Sequence, residues 1–361
     1  MARVAGRPKI LRLVLVNVAL LAVALVILEL AFGSWVRPNR INRLNLVRDR
    51  TMRYDASALY PAPNSVTYTR DAFGFRGSYD SPGEIDILTI GGSATDQRFI
   101  TDGATWQDVI AREFAAEGKR VSVVNAGVDG QSTYGHIKDF EWWFPNVPGL
   151  KAKYVLFYIG ANDVFKDTGS DYDDLVRDKR TTWKTHVRES SAIYHVVRTL
   201  KSTYEARRVY GLAHHYEDFS AWEWTTNPLI PDHDALAARR VRDFRARLVT
   251  IAERTKGLGA TPVFVTQPFC VYRVRADGTP EGRATLEPYD GAEINGVDLY
   301  YLMQAFGRAT MEVCGEAGGV CIDAANEMVW QADDFYDAVH NTPQGAERFG
   351  RYLHERLRDR F

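Results

Sequence analysis

Five short apolar runs, separated by stretches with helical spacing, constrain this chain more than any other feature. The runs are Ile85–Ile90 (broken only by Asp86 and Thr89), Val121–Val124, Tyr154–Ile159, Pro262–Thr266 and Val320–Ile322. Between and after them, Thr105–Glu117 puts Trp106, Val109, Ile110 and Phe114 on one face, and helical patterns cover Leu236–Lys256, Leu299–Cys314 and Pro343–Arg358. Near-continuous apolarity marks strands buried on both faces. Strand–helix alternation therefore predicts an α/β fold, a parallel sheet with helices on both sides. Ligands of such sheets bind beyond the carboxyl ends of the strands, so chemistry is sought there.

The N-terminus carries a different signal. Leu13–Leu28 is uncharged and interrupted only by Asn17, and apolar character resumes after Glu29 as far as Val36. A span needs about 20 such residues, so residues 1–36 are expected to form an N-terminal transmembrane anchor. Arg3, Arg7, Lys9 and Arg12 precede it and favour an inside N-terminus; Arg37, Arg40, Arg43, Arg48 and Arg50 follow it and weaken the bias. The alternative is a signal peptide cut after Ala31-Phe32-Gly33. The run exceeds the roughly 7–15 residues of such a segment, which favours a retained single-pass anchor with the remainder periplasmic or extracellular. Residues 37–60 are basic and polar, show no clear core pattern, and read as a juxtamembrane linker. Residues 61–361 are expected to form the catalytic domain. Within it, 164–235 is a helical and aromatic insertion, a candidate lid, with Ser190-Ser191-Ala192-Ile193-Tyr194, a helical stretch to about Arg208, and Trp222-Glu223-Trp224.

Composition narrows the function classes. The 361 residues carry a formal net charge of −1, which gives no reason to expect nucleic acid as a partner. Three cysteines are too few for a disulfide scaffold. Cys314 and Cys321 can pair across a helix-to-strand turn if the domain is exported, or remain unpaired in the core; Cys270 reads as a buried thiol. His214-His215 with Asp232 and His233 lacks metal-ligand spacing, so no metal is expected. The glycine-rich turn after the first run lacks the spacing of dinucleotide and phosphate loops, so no cofactor is expected either.

Four pieces carry chemistry. Gly91-Gly92-Ser93 follows the first strand and offers a hydroxyl at the mouth of the sheet, although a serine there also suits a helix N-cap. Gly130, in Gly127-Val128-Asp129-Gly130, can aim a backbone N–H at a developing oxyanion, or be an ordinary turn glycine. Asn162, in Gly160-Ala161-Asn162-Asp163, can donate its amide to the same oxyanion, or close an Asx-turn. Asp337 and His340 are spaced so that the carboxylate binds one imidazole nitrogen and leaves the other to take a serine proton.

With those blocks in that order, the chain resembles the SGNH (GDSL-type) hydrolase superfamily over about residues 85–165 and 260–350. The resemblance implies a three-layer α/β/α flavodoxin-like fold with a five-stranded parallel sheet. It also implies Ser93 as nucleophile, His340 as base, Asp337 as its orienter, and Ser93 N–H, Gly130 N–H and Asn162 as the oxyanion hole. The family's first block usually has Asp before the serine; here Gly92 stands there. With Gly74-Phe75-Arg76-Gly77 upstream, the Gly-Gly-Ser version resembles a membrane-anchored bacterial branch. The expected function is a serine esterase acting on an extracytoplasmic ester, with O-acyl groups of a glycan, acetyl first, as substrate. An O-acyltransferase using the same residues, or a non-catalytic scaffold subunit of envelope polysaccharide machinery, are the alternatives. No particular protein partner is indicated.

Overall fold

The sheet strands form where the apolar runs predict them. A computed structural model describes residues 7–35, 46–61, 64–166, 183–194, 196–197, 200 and 209–361. In it β1 (Ile85–Gly91), β2 (Val123–Asn125), β3 (Ala152–Tyr158), β4 (Thr261–Val265) and β5 (Val320–Ile322) form one five-stranded sheet in the order β2-β1-β3-β4-β5. Every pairing is parallel, with Leu88 opposite both Val124 and Val155, and Leu156 opposite Val263.

Successive strand residues face opposite layers, as the pleat requires. Leu88, Phe157 and Phe264 join the core formed with Phe244, Leu248, Leu302 and Phe306. Their neighbours Ile87, Leu156 and Val263 join a second core with Trp106, Ile110, Phe114 and Phe349. Two cores on one sheet make three layers, α/β/α. The covering helices are long and well capped. Trp106–Ala116 and Gly296–Glu316 start with capping boxes from Thr105/Asp108 and Asn295/Asp298, and His233–Gly257 starts at Asp232. Pro343–Leu357 starts at Thr342, with proline at a first-turn position where no N–H is missed.

The helix Arg7–Phe32 contains Leu11–Phe32, 22 residues whose side chains are exposed except the half-buried Glu29, long and apolar enough to cross a membrane. Val36, and Arg37, Arg40 and Arg43 after it, lie outside the described residues, as do 201–208 in the insertion.

Two features differ from expectation. Residues 50–60, read as linker, pack into the domain: Arg50–Asp55 pairs antiparallel with Ser65–Arg70, and Tyr54, Ala56, Leu59 and Tyr60 are buried. The strand escaped notice because it is half-exposed and charged, with Tyr54 its only buried residue. Residues 272–294 also form small antiparallel strands, Tyr272–Val274 with Pro280–Arg283 and Glu287–Tyr289 with Ala292–Ile294, where no pattern announced them. Trp224–Thr225 of the insertion joins the first of these sheets. The Cys314–Cys321 alternative resolves as a disulfide, with Cα atoms 5.8 Å apart. Cys270 is a free thiol that donates to the Asp337 carbonyl.

Candidate active site

At the carboxyl end of β1 the chain turns through Gly91-Gly92 into a four-residue helix, Ser93–Asp96. The turn is tight. A Cβ on Gly91 would lie 2.1 Å from Thr95 Oγ1 and 2.5 Å from the Tyr158 carbonyl; on Gly92 it would lie 2.4 Å from Asn162 Nδ2. Only glycine fits both places. Asp96, buried at the far end of this helix, accepts from Arg70, from Tyr68 Oη at 2.8 Å and from Arg98 at 3.3 Å. Arg70 is itself buried and donates to the carbonyls of Gly74, Asn125 and Gly127. Arg76 donates to the carbonyls of Asp96, Gln97 and Ile100. The hairpin and the Gly-Phe-Arg-Gly segment therefore fasten the turn that presents Ser93.

His340 reaches the same point from a loop bridged at Phe335 and Asn341 and closed by Tyr336 N–H on the His340 carbonyl at 3.0 Å. Its Nε2 lies 2.6 Å from Ser93 Oγ, and its Nδ1 lies 2.8 and 2.7 Å from the two Asp337 oxygens. Because the Asp337 carboxylate only accepts, Nδ1 carries the proton and Nε2 is free to take the serine's. Asp337 also accepts from the backbone N–H of Val339 and His340. Burial pushes its pKa up, but the His340 bond and these N–H donors outweigh burial and leave it below the usual carboxylate value.

Asn162 opens a short helix after β3, and its Nδ2 donates to the Gln131 carbonyl at 2.7 Å, beside Gly92. Asp163 braces this loop to Thr133 and Arg247. Gly130 has φ +75° in the turn before Gln131. Among the described residues, neither the Ser93 nor the Gly130 N–H has a hydrogen-bond partner. Ser93, Asp337 and His340 are thus joined by direct hydrogen bonds. Asn162 sits against the Gly92–Ser93 turn, and Gly130 lies on the adjoining loop.

The sequence offers His214 only as part of a histidine group without metal-ligand spacing. Its ring stacks on His340 with centroids 3.9 Å apart and planes 21° apart. Its Nδ1 bonds to Tyr336 Oη at 2.7 Å, and its Nε2 is 3.9 Å from Asp129. Asp129 also meets Arg98 at 3.2 Å. Burial pushes Asp129 up, but the His214 ring and the Arg98 guanidinium hold it down to about 2. No motif links these residues in sequence; spacing gave no signal for them. His214, Asp337 and His340 bring possible ligand atoms within 4.8 Å of one another. His233, grouped with His214 in the sequence reading, bonds to Asp298 instead. The ring faces of Trp222 and Trp224 in the insertion are partly covered, by Arg283 and Arg273 respectively. A groove of about 1420 Å³ opens at the other end of the sheet, by Ile85 and Ala152, and takes no part in this arrangement.

A hydroxyl bonded to an imidazole that is bonded to a carboxylate, with unpaired N–H donors nearby, is equipped for acyl transfer. Residues 89–263 match the model of the GDSL-like lipase/acylhydrolase family. That stretch is a GDSL-like lipase/acylhydrolase domain. The match includes Ser93, Gly130 and Asn162, while Asp337 and His340 lie beyond it. With this domain the chain is a serine hydrolase of carboxylic esters. No curated protein matches it. Its backbone aligns with that of TesA (12% identity, 76% of this chain and 99% of that one, TM-score 0.40). It also aligns with Axe2, an acetylxylan esterase from Geobacillus stearothermophilus (15%, 76% and 94%, TM-score 0.42). A third is the psychrotrophic esterase EstA from Pseudoalteromonas sp. (9%, 76% and 98%, TM-score 0.40).

Proposed function

We propose that this acylhydrolase cleaves O-acyl esters, acetyl foremost, of a glycan outside the membrane, with Ser93 as nucleophile, His340 as base and Asp337 as orienter. The single observation that carries the catalytic reading is the 2.6 Å contact of His340 Nε2 with Ser93 Oγ. In the reaction, His340 Nε2 takes the Ser93 proton as Oγ attacks the ester carbonyl carbon. The oxyanion faces the N–H groups of Ser93 and Gly130 and the Asn162 amide. The carbon–oxygen bond to the sugar then breaks, and the imidazolium gives its proton to the departing alkoxide. Water, deprotonated by the same nitrogen, attacks the acyl-enzyme; the acid leaves and Ser93 regains its proton.

The location rests on two features. The apolar helix is long enough to anchor the chain, and the Cys314–Cys321 disulfide suits an oxidising compartment. Acyl esters on envelope sugars are substrates available to a domain tethered there.

A membrane-impermeant fluorophosphonate probe on intact cells, followed by peptide mass mapping, tests both parts. Labelling on Ser93, absent in Ser93→Ala, is the expected result. Ser93→Ala should lower kcat on small acetyl esters by at least about 10³-fold while circular dichroism stays unchanged. Full turnover in that variant overturns the mechanism. Labelling only after lysis overturns the location. Release of acetate from an acetylated polysaccharide, compared with longer acyl esters, tests the substrate class.

A further inference from the structure

Glu29 lies within the apolar helix, yet its carboxylate is well satisfied. It accepts from Ser191 Oγ at 2.6 Å, Ala192 N–H at 3.0 Å, Ile193 N–H at 3.1 Å and Trp35 Nε1 at 2.9 Å. Ser34 N–H adds a bond to the Ser190 carbonyl. The donors at 192 and 193 are free N–H groups at the start of a helical segment, and Ser191 adds its hydroxyl; residues 192–194, 196–197 and 200 have helical backbone. An acidic group at a helix start is favourable on both hydrogen-bond and dipole grounds. A carboxylate on a membrane helix is costly unless it is paired. This capping therefore fixes the start of the second helix at the depth of Glu29, one turn from the helix end at Phe32.

From that point the insertion shows an apolar stripe. Ile193, Val196, Val197 and Leu200 follow i, i+3, i+4, i+7 spacing, one face of a helix. The face is turned outward: Val196, Val197 and Leu200 are 59%, 57% and 66% exposed. Trp183 and Phe32, near the same junction, are 74% exposed each. The stripe begins at Ile193, whose N–H is bonded to Glu29 of the apolar helix. An exposed apolar helix face beside a membrane-length helix suits a bilayer interface.

We propose that Ile193, Val196, Val197 and Leu200 form a second membrane contact, in the lipid interface beside the outer end of the anchor and held there by Glu29. This rests on the reading of the N-terminal helix as a membrane anchor. The same insertion also carries His214, whose ring stacks on His340.

The test uses the full chain in phosphatidylcholine nanodiscs that include a phospholipid with a diazirine near the top of its acyl chain. After photolysis, crosslinked peptides are mapped by mass spectrometry. Lipid adducts on both Leu11–Phe32 and the peptide spanning 190–200 are expected. In a Val196→Asp, Val197→Asp variant the second set should fall to background while the first persists. Adducts on the N-terminal helix alone in the wild type overturn the proposal, and point to a second copy or another protein covering the stripe. Adducts on neither overturn the anchor reading itself, and this contact with it.

Discussion

At position 92 one methyl group is enough to test how the site is packed. A Cβ there would fall 2.4 Å from Asn162 Nδ2 and 3.0 Å from the Gln131 carbonyl. The backbone carbonyl cannot yield, so the Asn162 amide must move. Gly92→Ala should fold and keep its probe-reactive serine, but lose roughly 10²-fold in kcat, the scale of a misplacement of about 1 Å. Steady-state kinetics on an acetyl ester check this, and unchanged kcat would mean that Asn162 takes no part. Asp337→Asn preserves size but cannot fix the His340 tautomer, and kcat should drop by about 10⁴-fold with little change in KM. At this scale the sequence made legible which residues would meet: Ser93, His340 and Asp337 are joined by hydrogen bonds. Ser93, Asn162, Asp337 and His340 each follow a strand in the expected succession. His214 was not legible, because stacking on a ring 126 positions away leaves no periodic or spacing signature.

Among the elements, the hairpin Arg50–Asp55/Ser65–Arg70 does the most to hold the site, and it was the least visible beforehand. Arg70 ends its second strand, buried, bridging Asp96 and the carbonyls of Gly74, Asn125 and Gly127. Arg70→Met would leave a buried carboxylate with Tyr68 and Arg98 alone and strip three carbonyls of a donor. Breaking such a pair from one side costs about 3–5 kcal/mol. Chemical unfolding in detergent should show a loss of that order, and activity should fall with it as the nucleophile helix loses its tether. A loss below about 1 kcal/mol would mean that solvent replaces the guanidinium. The sheet strands were legible because they are buried on both faces and read as apolar runs. The hairpin strand at 50–55 buries a single side chain, so neither run nor alternation marks it.

Across the whole molecule, Asp129 joins three parts of the chain: its own loop after β2, Arg98 beyond the Ser93–Asp96 helix, and His214 within the insertion. Its native pKa, about 2, is below the unfolded value of about 3.9. The stability it supplies is complete above the unfolded value and is lost as pH falls through the folded one. Between about pH 4 and pH 2 the native state should lose on the order of 2 kcal/mol from this group. Asp129→Asn should be less stable at pH 7 and show a flatter decline across that window. Urea unfolding of both proteins at several pH values measures the difference, and parallel declines would remove Asp129 from the account.

Sequence alone determined the apolar N-terminal helix, the strand–helix alternation and the order of the chemical residues. These depend on local period and residue type, which a chain displays before it folds. Only the tertiary structure decided that Cys314 and Cys321 are joined, that residues 50–60 support the nucleophile turn, that His214 lies on His340, and that Glu29 caps a helix in the insertion. Each of those is a meeting of distant segments. Their partners are chosen by packing and by the need to satisfy buried polar groups, neither of which leaves a repeat in the linear sequence.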